Sequence, residues 1–295
     1  MLRDGFQMEP DFIPTDTKVS LANRLSEAGI SKIEVSSFTS PKAIPTLADA
    51  DTVFERIRRY PGVTYTALVP NLRGCERALA CRVDELNVVV SVSETHNLAN
   101  LRMRPEESLE QIALISKRAA DNAAVNVSVS TAFGCPFEGR ITRDQVFSVI
   151  DQLAAFGIEL VTVCDTTGVA NPAQVYDLFD AASRRWPEMS FTAHFHNTRG
   201  MGLANVIAAL DTGIRYFDGS LGGLGGCPYA PGASGNVCTE DLVHMLQMMG
   251  YDTGVDLDLL LGIAHDLPAI VGHDVPGQVM KAGTSDRTYP KPAGL

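Results

Sequence analysis

Short runs rich in valine, isoleucine and threonine alternate with longer segments of helical period along almost the whole chain. Strands separated by a helix's length of chain pair in parallel, so repeated βα units build either a closed barrel or an open doubly wound sheet. Seven strands are expected, at Lys32 to Ser36, Val63 to Val69, Glu85 to Ser91, Val125 to Thr131, Glu159 to Cys164, Ser190 to His196 and Ile214 to Asp218. Between them, Thr17 to Ala28, Glu106 to Ala120, Arg143 to Phe156, Ala173 to Arg185 and Gly200 to Thr212 space their apolar residues as amphipathic helices do. Capping residues agree with that division. Thr15 or Asp16 precedes the first helix, Thr142 another, and Asn171 with Pro172 the next, while Gly29, Gly157 and Gly213 stand at helix ends.

Seven strands and a last helix at Glu240 to Met249 fill a (β/α)8 TIM barrel if an eighth strand lies at the very start, ending at Leu2 and Arg3. The chain opens too late to hold that strand in full, which reads as an amino-terminal truncation or a late start codon. A doubly wound sheet is the alternative, but no GxGxxG follows a first strand. The expected organisation is a catalytic TIM-barrel domain over 1–255 and a short C-terminal helical extension with a tail over 256–295. Residues 256 to 271 read as helix. From Ala282 the tail is rich in Thr, Ser, Pro and Gly and reads as mobile.

Composition narrows the partners. In the 295-residue chain, 24 Lys and Arg against 35 Asp and Glu give a formal charge of −11 with no basic run, so nucleic acid and anionic membranes are poor partners. No apolar stretch approaches the roughly 18 residues of a membrane span, and the opening MLRDGFQMEP lacks a signal-peptide pattern. A cytoplasmic location is expected. Six cysteines without a CxxC pair favour reduced thiols over a zinc ribbon or a disulfide framework.

The candidate chemistry lies at expected strand ends, which a barrel gathers at one mouth. Side chains two apart on a strand point the same way, so His194 and His196 can grip one cation. An HxH pair elsewhere is more often two hydrogen-bonded histidines; its place at a strand's carboxyl end shifts the balance toward ligands. Asp4 offers a hard oxygen ligand and Arg3 a permanently charged fork, with Gln7 close behind as a candidate substrate contact. Glu34 and Asp165 add carboxylates at other strand ends. The loop from Gly219 to Tyr229, continued by Gly232 to Asn236, holds so many glycines around Cys227 that either a close ligand or a hinged lid is implied, although an ordinary flexible loop has the same composition.

Taken in order, these residues resemble the 3-hydroxy-3-methylglutaryl-CoA lyase family, a branch of the metal-dependent barrels that includes isopropylmalate and homocitrate synthases. The resemblance runs from Arg3 to about residue 255. Its most specific pieces are Gly225-Gly226-Cys227-Pro228-Tyr229 with Gly232-Ala233-Ser234-Gly235-Asn236, Thr239-Glu240-Asp241-Leu242-Val243, and Gly134-Cys135-Pro136-Phe137-Glu138-Gly139. It implies metal ligands Asp4, His194, His196 and Asn236, a mixed O and N set that suits Mg2+ or Mn2+. It also implies an acyl-CoA substrate cleaved to acetyl-CoA and a 3-keto acid such as acetoacetate, and a homo-oligomer, by family analogy a dimer. Arg3 would stabilise the departing enolate, Cys227 would transfer a proton, and Glu34, Asp165 and Glu240 would orient ligands or substrate.

Four positions depart from the family pattern. Asn197 and Arg199 stand where the lyases carry Asp and Tyr, Pro10 replaces a lysine, and Ser128 replaces a tyrosine near the substrate. The family's carboxyl-terminal cysteine is also missing. The ligand set survives while the substrate wall has changed, so a lyase for a different 3-hydroxyacyl-CoA is the first alternative. A Claisen-type acyltransferase using acetyl-CoA is the second, opposed by Cys227 and by the lack of a regulatory domain after the barrel.

Overall fold

A computed structural model describes residues 1–226 and 235–291. Its centre is a seven-stranded, wholly parallel sheet in sequential order: β1 Lys32–Ser37, β2 Thr64–Leu68, β3 Glu85–Ser91, β4 Ala124–Ser130, β5 Leu160–Asp165, β6 Ser190–Phe195 and β7 Tyr216–Asp218. The helices are α1 Thr15–Glu27, α2 Ala50–Arg56, α3 Leu72–Ala80, α4 Glu94–Leu101, α5 Pro105–Ala119, α6 Arg143–Ala155, α7 Pro172–Arg185, α8 Gly202–Asp211, α9 Thr239–Met248, α10 Leu257–Val271 and α11 Val279–Ala282.

Alternation along the strands decides what lies on each face of the sheet. Ile33, Val35, Tyr65, Leu86, Val88, Val127, Val129, Val161, Val163 and Phe191 are buried in the hydrophobic core. The intervening side chains, among them Glu34, Thr66, Glu85, Asn87, Asn126, Ser128, Thr162 and His194, line a cavity of about 1810 Å³ to which all seven strands contribute. Small and polar residues, rather than bulky aliphatic ones, occupy this inner face, and an open, wettable interior results.

Several expected boundaries move for local reasons. Residues 2–5 do not end a strand: Phe6 N–H bonds Met1 C=O, Gln7 N–H bonds Arg3 C=O, and Met8 N–H bonds Gly5 C=O, so these amides close turns instead of a ladder. β4 stops at Ser130 because Thr131 takes a left-handed φ of 58°. β7 starts at Tyr216, since Ile214 N–H bonds Ala209 C=O and closes the end of α8. α8 begins at Gly202, whose N–H bonds Asn197 Oδ1 at 2.9 Å.

Thr15 and Asp16 lie inside the first turn of α1, and Thr15 Oγ1 donates to Asp49 at 2.7 Å rather than capping. Thr142 and Asn171 do cap, each in a reciprocal capping box with the glutamine three residues on. The extension packs on the main body, with Arg24 bonded to Asp266 and Asp256 N–H to Ala28 C=O. No helix among the described residues is long and apolar enough to cross a membrane. The five described cysteines are free thiols.

Candidate metal centre

The end of β6 sets the geometry. His194 and His196 face one side of the strand, their ring centroids 5.2 Å apart, while Phe195 between them points into the core against Phe133 and Phe179 at 6.1 and 6.5 Å. The chain then returns alongside: Val237 N–H bonds Phe195 C=O at 3.0 Å and Asn197 N–H bonds Gly235 C=O at 3.1 Å, which pairs Asn236 with His196 in a short antiparallel bridge. From the opposite side the turn after Met1 brings in Asp4. One ligand atom each of Asp4, His194 and His196 lies within 4.8 Å of the others.

Two unpartnered atoms mark what this cluster can hold. His196 Nδ1 and Asn236 Oδ1 are buried and accept no hydrogen bond among the described residues. Such groups lose the free energy of hydration without compensation unless something else takes their lone pairs. Asn236 Nδ2 is committed, donating to Asp4 Oδ2 at 2.6 Å and to Leu224 C=O at 2.9 Å, so its oxygen is the atom left without a partner. A divalent cation would satisfy these lone pairs, and the residues present fit one. Gly225 explains part of this closeness: with φ 103°, its Cβ position would fall 2.7 Å from both Asn236 Nδ2 and Asp4 Oδ2.

The protonation states also fit. Burial works against ionisation of Asp4, but Arg3 and the two imidazoles outweigh it and hold the carboxyl well below the usual carboxylate range. Burial pushes His196 down to about 4, with His194 adding to the effect, so it is neutral near pH 7 with a lone pair to give. Burial also lowers His194, yet Asp218, 3.5 Å from its Nδ1, raises it overall.

Arg3 lies beside the cluster. Its Nε donates to Glu34 Oε2 at 2.6 Å and its Nη1 to Asp4 Oδ1 at 2.8 Å, and both side chains are largely buried. Gln7, Pro10 and Ser128 line the same cavity. Two residues expected at the site lie behind its wall. Asp165 is 1% exposed and accepts from Val169 and Ala170 N–H at 2.8 and 3.1 Å, tying down the loop after β5, and burial pushes its carboxyl up to about 6. Glu240 is fully buried under the turn Leu221–Gly223, accepts from Gly222 N–H at 3.0 Å, and is pushed by burial up to about 7. Arg199 turns away from the cavity and donates to the carbonyls of Thr167 and Gly168. Cys227 lies outside the described residues.

Sequence reasoning missed Asp218 beside His194, and Cys164, whose thiol lines the cavity and is kept protonated by burial. It also missed Asn87 and Asn126. Their signal was the strict polar–apolar alternation in Glu85-Leu86-Asn87-Val88 and in Asn126-Val127-Ser128-Val129-Ser130, which announces a polar inner face.

Comparison with known proteins agrees with this geometry. The HMGL-like family model matches residues 1–267. The hydroxymethylglutaryl-CoA lyase YngG of Bacillus subtilis is 46% identical over 277 residues, covering 94% of this chain and 93% of the relative. An (R)-citramalyl-CoA lyase of Chloroflexus aurantiacus is 40% identical over 294 residues, covering 95% and 92%. The structure of an HMG-CoA lyase from Acinetobacter baumannii in complex with coenzyme A and 3-methylmalate superposes with a TM-score of 0.95 at 49% identity, covering 99% of this chain and 95% of that one. With a cation-sized cluster of one carboxylate from the amino-terminal turn and two imidazoles at the end of β6, and a match to the family model over nine-tenths of its length, this chain belongs to the HMGL-like family of lyases.

Proposed function

We propose that this protein is a divalent-metal-dependent carbon–carbon lyase that cleaves 3-hydroxy-3-methylglutaryl-CoA, or a close relative of it, to acetyl-CoA and a 3-keto acid, acetoacetate for that substrate. The observation that carries this reading is the convergence of Asp4, His194 and His196 within 4.8 Å of one another beside Arg3, with two buried lone pairs left unmet. Their mixed oxygen and nitrogen donors favour Mg2+ or Mn2+. When bound, such a cation supplies Lewis-acid stabilisation of the substrate's 3-oxygen.

The rest of the chemistry falls to the chain's own residues. As the C2–C3 bond breaks, its electron pair passes into the thioester carbonyl, and the charge growing on that oxygen needs a preorganised cation. Arg3 supplies it, aimed by Glu34. The proton that the 3-hydroxyl sheds as C3 becomes a ketone passes to the Cys227 thiolate, which then delivers it to C2, releasing acetyl-CoA and restoring the thiolate. Glu240 and Asp165 serve from behind, steadying the glycine turn and the loop after β5. The cavity is large enough to take the pantetheine arm with the acyl group. The parallel sheet with interior residues from every strand fits a (β/α)8 barrel, and a cytoplasmic homodimer completes the reading.

A second substrate has a specific observation in its favour. The relative named for (R)-citramalyl-CoA is 40% identical across nearly the full length, and Ser128 makes the wall small and polar. The deciding assay incubates purified protein with Mg2+ and a panel of 3-hydroxyacyl-CoAs, following acetyl-CoA and free keto acid. Cleavage of HMG-CoA in preference to citramalyl-CoA supports the first reading, the reverse supports the second, and consumption of acetyl-CoA with a keto acid overturns both in favour of an acyltransferase.

A further inference from the structure

The polar side chains of the inner face form one continuous hydrogen-bonded chain, and its central member has no part in the chemistry above. Asn87, on β3 and 7% exposed, donates from Nδ2 to Glu34 Oε1 at 2.8 Å. Its Oδ1 accepts from Asn126 Nδ2 at 3.1 Å and from Ser128 Oγ at 2.8 Å. Asn126 is oriented in turn, since its own oxygen takes the Thr162 hydroxyl at 3.1 Å and leaves only N–H to offer Asn87. Each amide can therefore face one way only. Glu34 uses its second oxygen for Arg3 Nε at 2.6 Å.

We propose that Asn87 is a positioning residue: its amide fixes the Glu34 carboxylate and, through it, the direction of the Arg3 guanidinium at the reacting thioester. This rests on the reading of Arg3 as the cation that meets the enolate. Glu34 is a flexible side chain open to the cavity, and although Asp4 holds Arg3 Nη1 at 2.8 Å, a bond to the arginine's Nε does not by itself fix the carboxylate. Asn87 removes that freedom because it is anchored on β4 at two points. A neutral amide is the group suited to the task. A cation there would compete with Arg3 for Glu34, and a carboxylate would repel Glu34 and offer it no donor.

The test exchanges the two chemistries. Asn87→Asp sets two carboxylates face to face, and kcat is expected to fall about 10- to 100-fold with KM for the acyl-CoA within roughly threefold. In the double variant Asn87→Asp/Glu34→Gln every donor again meets an acceptor: Asn126 and Ser128 donate to the new carboxylate, the new amide donates to it as well, and the amide oxygen faces Arg3. Turnover should then recover at least about fivefold over Asn87→Asp alone, a coupling that independent sites do not show. Mn2+ affinity by calorimetry and the melting temperature should stay near wild type in Asn87→Asp, in Glu34→Gln and in the double variant. The inference is overturned if Asn87→Asp turns over within twofold of wild type, if the double variant shows the full product of the two single losses, or if Mn2+ binding is lost along with activity. A wild-type protein that cleaves no 3-hydroxyacyl-CoA, or a Glu34→Gln variant with undiminished turnover, would overturn the underlying reading of Arg3, and this inference with it.

Discussion

Gly225→Ala is the smallest change that should disable the metal centre. Gly225 has φ 103°, where an L-residue is strained, and an added Cβ would stand 2.7 Å from both Asp4 Oδ2 and Asn236 Nδ2. Ordinary contact begins at 3.4 Å, so each neighbour must retreat by 3.4 minus 2.7, or 0.7 Å. Those two atoms are already bonded to each other at 2.6 Å and cannot both yield without moving the Asp4 carboxylate or the Asn236 amide. Metal sites tolerate ligand displacements of only about 0.2 Å, so a weakening of Mn2+ or Mg2+ binding by at least about tenfold is expected. Backbone strain adds roughly 1–3 kcal/mol of lost stability. Gly250→Ala separates the two effects, because φ there is 84° but nothing lies within 4 Å of the added carbon. It should cost about 1 kcal/mol and leave metal binding untouched. Calorimetric Mn2+ titration of both variants, alongside thermal melts, reads the difference. If Gly225→Ala binds Mn2+ within twofold of wild type, Asp4 and Asn236 do not together form the ion's cradle.

Glu240 is expected to make stability fall with rising pH. Its carboxyl is raised in the folded state from 4.5 to about 7, so ionising it penalises the fold by about 3 kcal/mol once the pH passes 7, while below 4.5 the penalty is absent. Glu240→Gln should therefore be more stable than wild type at pH 8 and keep less than about 1 kcal/mol of that advantage at pH 5, and parallel urea titrations at both values check the sign. Phe195→Ala removes a side chain that is 1% exposed between Phe133 and Phe179, and should cost about 3–5 kcal/mol in denaturant melts; a loss under 1 kcal/mol would mean that the strand between the two histidines is not anchored there. Cys227→Ala should lower turnover at least about a hundredfold with Mn2+ affinity unchanged, and wild-type turnover in that variant would remove the proton-transfer role.

The parts of the molecule governed by local chemistry could be read from residues alone. The strand runs, the helix caps at Thr142 and Asn171, the glycine helix ends and the histidine pair all follow from short-range rules, and each has its counterpart in the structure. What local rules miss depends on partners far along the chain. α2, α3 and α4 are seven to nine residues long, too short for helical period to stand out, and are held by packing on the sheet. Thr131 looks like strand, yet its left-handed backbone ends β4 one residue early, with its N–H bonded to Thr166 Oγ1. Asp165 and Glu240 resembled site carboxylates because they follow strands or open helices. Only the three-dimensional arrangement shows that Val169 and Ala170 N–H claim one and Gly222 N–H the other.

The proposed lyase chemistry requires Asp4, His194 and His196 to share one ion. Pulsed electron paramagnetic resonance on the protein titrated with Mn2+ addresses this directly. One Mn2+ per chain should bind, with the nuclear modulation of two imidazole nitrogens, and His194→Ala and His196→Ala should each remove one of them. A spectrum without imidazole nitrogen, or one unchanged in both variants, would place the cation elsewhere and contradict the account at its root.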